Sequence, residues 1–135
     1  MVKVFVNGTF DVLHPGHIRL LNYARNLGNY LTVAIDTDRR VNLLKGEDRP
    51  INSLYIRREM LLALRSVDDV KMFDTDEELT QLIKSIRPSI MVVGSDYKDK
   101  KVIGSEFVEK LIYYERIPEY SSTHTIEKIQ NIINR

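Results

Sequence analysis

Two histidines stand three residues apart in a turn built around proline and glycine: Asn7-Gly8-Thr9-Phe10-Asp11-Val12-Leu13-His14-Pro15-Gly16-His17. Proline is favoured at a first helical position, because the N–H it lacks would be unpaired there anyway. A helix is therefore expected to start near Pro15. Its leading N–H groups and its dipole make an anion site. His14 and His17 flank that site, on the same side of one turn. Each imidazole can donate a hydrogen bond to a phosphoryl oxygen as charge builds there, so the set suits a polyphosphate. The pair could instead belong to a metal site, but no third ligand is apparent: His124 is the only other histidine and there is no cysteine. A purely packing role fits poorly with two of three histidines lying in one Gly/Pro turn.

The elements that must position this turn alternate. Residues 2–6 read as a strand, and Ile18, Leu21, Ala24 and Leu27 then recur at helical spacing until Gly28. Residues 31–35 form a second strand. Residues 39–51 are polar, basic and interrupted by proline, which reads as mostly loop. Ser53 caps a helix through about Leu64, with Ile56, Met60 and Leu64 on one face. Strands follow at 70–73, 90–93 and 111–114. Helices are expected from Asp76 to before Pro88, over 105–110, and from Ser121-Ser122-Thr123 onward with Ile126, Ile129 and Ile133 inward. Such alternation implies an α/β fold: a Rossmann-like, doubly wound parallel sheet of five strands in a single domain over residues 1–135. Ligands bind such sheets at the carboxyl ends of the strands, which directs attention to loops 7–16, 36–53, 94–104 and 115–122.

Composition narrows the function classes. The 135 residues suit one domain with a sufficient core. Twenty Lys+Arg against nineteen Asp+Glu leave a net charge of +1, so nucleic acid is not held by bulk charge. Zero cysteines exclude a disulfide scaffold, a thiolate zinc site and cysteine catalysis. No apolar run reaches the ~20 residues of a membrane helix, and the chain opens directly on a strand. A soluble, cytoplasmic protein is the expectation.

Gly8-Thr9-Phe10-Asp11 followed by His14-Pro15-Gly16-His17 resembles the signature of the HxGH nucleotidylyltransferase superfamily, in its cytidylyltransferase-like branch. The resemblance covers essentially the whole chain. It implies transfer of a nucleotidyl group from a nucleoside triphosphate to a phosphorylated acceptor, with pyrophosphate released and Mg²⁺ as the usual cofactor. The segments Leu44-Lys45-Gly46-Glu47-Asp48-Arg49-Pro50-Ile51-Asn52 and Gly94-Ser95-Asp96-Tyr97-Lys98 look like those of the heptose 1-phosphate adenylyltransferase group. Glycerol-3-phosphate cytidylyltransferases match less well there. ATP is therefore favoured and CTP is the alternative, with a sugar phosphate or polyol phosphate as acceptor and a homodimer as the expected assembly.

The resemblance also implies roles, residue by residue. His14 and His17 would contact the triphosphate, with Lys45 and Arg57 as further catalytic or acceptor-binding cations. Gly8, Thr9, Phe10 and Gly16 would line the nucleotide pocket, with Gly94 and Asp96 near the base and Ser122 and Thr123 around the terminal phosphates. Asp11 would lie near the phosphates and metal, and Asp38 would suit ribose or acceptor contacts. Plainer readings stand beside these: Lys45 as a solvated loop lysine, Arg57 in a surface ion pair, Asp11 as an Asx-turn residue, and Ser122 as a helix cap. His124 departs from the usual Ser or Thr, and Arg116 stands one place from the cytidylyltransferase arginine, at whose position this chain has Ile117. Those departures motivate one alternative, a nucleotide-binding domain without catalysis.

Overall fold

The computed structural model describes residues 1–115 and 122–134, and of Ser122 only the backbone. The elements run β1 (Lys3–Gly8), α1 (Pro15–Asn26), β2 (Tyr30–Asp36), α2 (Asp38–Lys45), α3 (Leu54–Leu62), β3 (Asp69–Phe73), α4 (Asp76–Ile86), β4 (Ile90–Gly94), β5 (Lys110–Tyr114) and α5 (Ser122–Ile133). Single 3₁₀ turns lie at Ser95–Tyr97 and Ser105–Phe107. The five strands form one parallel sheet in the order β3-β2-β1-β4-β5. The order reverses direction between β1 and β4. That switch point is where a ligand crevice opens in this topology.

Alternation along the strands explains the two layers of core. Val4 and Val6 of β1 and Leu31, Val33 and Ile35 of β2 face one side, packed with Leu21 and Ala24 of α1 and Leu61 of α3. Phe5 and Ala34 face the other side, with Leu79 and Ile83 of α4. Met91, Val92 and Val93 of β4 are all buried, as an uninterrupted apolar strand flanked on both faces must be. Gly28 follows α1 where a Cβ would come 2.5 Å from the Val2 carbonyl, so no larger residue fits beneath the first strand.

Four expectations are corrected. Residues 39–51 are not mostly loop, because their first half is α2. Thr37 caps it by accepting from the Arg40 N–H, and only Val41 is buried, so the helix shows almost no apolar period. Ion pairs hold it instead: Arg39 to Asp74, and Arg40 to Asp36 and Asp76. The inner face of α3 is Arg57 and Leu61, whereas Ile56 and Met60 are 47% and 50% exposed. The polar bonds of Arg57, described below, set that rotation rather than the apolar spacing. The helix expected over 105–110 is a single 3₁₀ turn, and Lys110 already belongs to β5. On α5, Ile129 and Ile133 are exposed rather than inward. Strand limits differ from expectation by one or two residues, within the ordinary blur of element ends. Among the described residues no helix is long and apolar enough to cross a membrane.

Candidate active site

The turn after β1 is fixed by its own backbone. His14 is the N-cap of α1, with Pro15 as the first helical residue. The His14 Nδ1 accepts from the Gly16 N–H at 3.1 Å, and the His17 Nδ1 accepts from the His14 N–H at 3.3 Å. This is a capping box built from two imidazoles. A ring nitrogen that accepts carries no proton, so each neutral ring holds its hydrogen on Nε2. The rings stack, with centroids 3.7 Å apart and planes inclined 23°. The cap uses neither Nε2; both rings stand at the positive end of a helix, with the Nε2 of His14 buried.

Phe10 sets the entry to this turn. Its backbone lies at φ +50°, a conformation that costs an ordinary residue roughly 1–2 kcal/mol. Its ring is buried, 5.1 Å from the His17 ring, and packs over Gly8, where a Cβ would come within 2.9 Å of the Phe10 Cε2. Gly8 therefore has no side chain because the phenyl ring occupies its place.

These residues line a cleft of about 400 Å³ at the carboxyl ends of the strands. Of the residues singled out from the sequence, Gly8, Thr9, Phe10, His14, Gly16, His17, Lys45, Gly94, Asp96 and Thr123 line it. Lys45 ends α2 and Thr123 lies in the first turn of α5. Three do not. Asp11 is buried behind the turn: its Oδ2 accepts from the Ile51 N–H and its Oδ1 from the Asn52 N–H, both at 2.8 Å, with Arg49 Nε 3.4 Å from Oδ2. In return the Asn52 Nδ2 donates to the Asp11 carbonyl at 2.7 Å. Arg57 is fully buried on α3, where it donates to the carbonyls of Asn52 (3.0 Å) and Thr9 (3.1 Å) and to Asp38 Oδ1 (2.7 Å). Asp38 thus faces Arg57, not the cleft. Arg116, Ile117 and Ser121 lie outside the described residues, as does the side chain of Ser122.

Other lining residues were not singled out. Asp36 and Arg40 form the wall beyond β2, and Tyr97, Lys101, Val102, Ile103 and Tyr114 contribute on the β4–β5 side. Asp36 ends a strand that feeds a ligand loop, a place legible in the sequence, but Asp38 two residues on has the same claim there. Arg40 lies four residues after Asp36, a spacing that signals a pair only once a helix is assumed there. Burial lowers the basicity of Arg40, but its bonds to Asp76 and Asp36 outweigh this and hold it above its ordinary value. Outside the cleft, the bond to Asp74 raises Arg39, while the bonds from Arg39 and Thr37 hold Asp74 below the usual carboxylate range.

Asp11 does not suit a metal, since both its oxygens already take backbone N–H groups. Among the described residues no group of three or more His, Asp or Glu is placed to hold an ion. Around the start of α1 the cleft offers donors and cations, with the carboxylates of Asp36 and Asp96 elsewhere in its lining: chemistry for binding phosphates and for stabilising charge on them.

Comparison with known proteins gives the same picture. A family model described as Cytidylyltransferase-like matches residues 5–128. The chain is 46% identical over 127 residues to the Bifunctional protein HldE of Campylobacter fetus, covering 94% of this chain and 28% of that protein. It is 44% identical over 127 residues to the protein of the same name from Helicobacter hepaticus, covering 94% of this chain and 26% of that one. The chain therefore spans about a quarter of the length of these relatives. Among solved structures, the lipopolysaccharide core biosynthesis protein from Thermoplasma volcanium superposes with a TM-score of 0.71 at 23% identity, covering 85% of this chain and 98% of that one. Pantothenate synthetase from Thermus thermophilus does so with a TM-score of 0.62 at 15% identity, covering 95% and 64%. At these identities the superpositions speak for the fold.

Proposed function

Since the chain belongs to the cytidylyltransferase-like family, we propose that it is a nucleotidylyltransferase: it moves a nucleoside monophosphate, AMP in preference to CMP, from a nucleoside triphosphate to a sugar phosphate or polyol phosphate. The observation that carries this reading is the stacked pair His14 and His17 at the start of α1, with both Nδ1 atoms engaged by backbone N–H groups. Fixed Nε2–H donors need no reorganisation when charge builds on a phosphoryl oxygen.

The acceptor's phosphate oxygen attacks the α-phosphorus, a new P–O bond forms, and the bond to the β-phosphate breaks to release pyrophosphate. An acceptor phosphate with a second pKa near 6 is mostly dianionic at pH 7, so no strong base is needed. Positioning and neutralisation of charge suffice. His14, His17 and the N–H groups of α1 supply neutralisation, Lys45 adds a cation from the α2 side, and Thr123 supplies a hydroxyl from α5. Magnesium would come with the nucleotide's phosphates, an ion that needs few protein ligands of its own. Arg57, Asp11 and Asp38 act as scaffold behind the cleft. A homodimer and a cytoplasmic location belong to the same proposal and rest on the resemblance.

The test is pyrophosphate release from ATP and from CTP, each with Mg²⁺ and a panel of sugar and polyol phosphates. Release with ATP and one acceptor is expected. Release with CTP alone would move the chain to the glycerol-phosphate side of the family. Heat stabilisation by a triphosphate with no release for any acceptor would leave a binding domain and overturn the proposal.

A further inference from the structure

The two ends of the cleft differ in chemistry. On the β4–β5 side Val93, Tyr97, Val102, Ile103 and Tyr114 make an apolar, partly aromatic wall, suited to a flat base. On the β2 side the wall is Asp36 and Arg40, whose side chains are only 11% and 18% exposed. Charged groups this deeply placed are rare unless paired.

The pair is rigid. The Arg40 Nε donates to Asp36 Oδ2 at 2.9 Å, Nη2 donates to Asp76 Oδ1 at 2.6 Å, and the guanidinium sits 5.2 Å above the Phe73 ring centroid. Two polar atoms remain. Among the described residues neither Asp36 Oδ1 nor Arg40 Nη1 has a hydrogen-bond partner, and neither is sealed off as a buried orphan. A carboxylate accepts about four hydrogen bonds and a guanidinium donates five. The unused capacity therefore belongs to two residues of the cleft wall, one acceptor and one donor, in side chains that are already fixed.

A group that donates and accepts at once matches such a wall, and a hydroxyl does both. We propose that Asp36 and Arg40 are specificity-determining residues that read hydroxyl groups on the phosphorylated acceptor. The acceptor is accordingly polyhydroxylated, with hydroxyls removed from its reacting phosphate, and an amino-alcohol or simple alkyl phosphate is refused. This rests on the transferase reading above for the identity of the acceptor site.

The test measures binding apart from turnover. Glucose 1-phosphate, glycerol 3-phosphate and methyl phosphate are titrated calorimetrically into the intact chain holding a non-hydrolysable triphosphate, and then into Asp36→Asn and Arg40→Met. Hydrogen bonds to charged groups contribute about 1.5–3 kcal/mol, so each variant should weaken the hydroxyl-bearing ligands roughly 10- to 100-fold. Methyl phosphate should bind the three proteins equally weakly, and triphosphate affinity should not move, which also verifies that each variant folds. The inference is overturned if no hydroxylated phosphate binds the parent chain, if the variants discriminate as the parent does, or if triphosphate affinity falls instead. Hydroxyl-selective binding without pyrophosphate release would uphold the pair and sink the transferase reading, so the two failures are distinct.

Discussion

His14 and His17 lie on one side of the turn after β1; Asp11, with Arg49 and Arg57, lies on the other. Both sets are polar, and both belong to segments that a sequence reading ties to phosphate chemistry. Their bonding separates them. The histidines use only Nδ1 of each ring to cap α1, and both residues line the cleft. Asp11 and Arg57 are buried and bonded to backbone groups of residues 9, 51 and 52. A buried charged side chain whose hydrogen bonds go to backbone is part of the frame. One that lines a cavity is placed to meet a ligand.

The sharpest way to break this comparison is Arg57→Met, which keeps bulk and removes the donors. Two part-buried carbonyls then lose their partner at about 1–3 kcal/mol each, so stability should fall by roughly 2–6 kcal/mol. Urea unfolding measures it. Unchanged stability with lost turnover would put Arg57 among the ligand groups and erase the distinction. On the other side of the turn, His17→Ala should lower kcat by about 10²–10³-fold, the magnitude for one lost donor at a developing oxyanion. Because the His14 cap bond survives, stability should fall by less than about 1 kcal/mol. Near-normal pyrophosphate release in that variant would remove the histidines from the mechanism.

Asp11→Asn tests the clasp more gently. The amide keeps one acceptor and loses the other, leaving one backbone N–H of residues 51–52 unpaired at a cost of about 1–3 kcal/mol. The thermal midpoint should drop by the same amount with and without Mg²⁺. A loss that appears only with Mg²⁺ present would mean that Asp11 serves an ion after all.

The ease with which each region reads from sequence follows the same division. The sheet and the helices packed on it were legible because Val4, Leu21, Leu31 and Ile83 repeat with the periods of their elements. The turn at His14 was legible because proline and histidine at a helix start have local consequences. Helix α2 was hidden, since ion pairs to Asp36, Asp74 and Asp76 hold it and a pattern of apolar residues does not register them. The inner face of α3 escapes the apolar pattern for a related reason: it carries an arginine buried as deeply as Leu61, oriented by the carbonyls of Asn52 and Thr9. Asp38 and Asp36 look equivalent in sequence, and only the end of β2 decides which of them meets the cleft.

The smallest effect lies at the surface. Arg39 and Thr37 bond Asp74 across the outer edge of α2, and the bonds from Arg39 and then from Thr37 lower its pKa. A carboxyl whose pKa is depressed on folding stabilises the fold above its unfolded value, near 4, and that contribution disappears as pH falls through the lower folded value. Stability should therefore decline from about pH 5 toward pH 2, and Asp74→Asn should flatten part of that slope. The arginine in this tie is 61% exposed, so the flattening should be slight and should shrink further in high salt. Equal slopes in parent and variant would mean that the tie to Asp74 contributes nothing to the acid response. In that case α2 would be anchored at its inner edge, by Arg40 on the cleft wall, rather than by the outer tie.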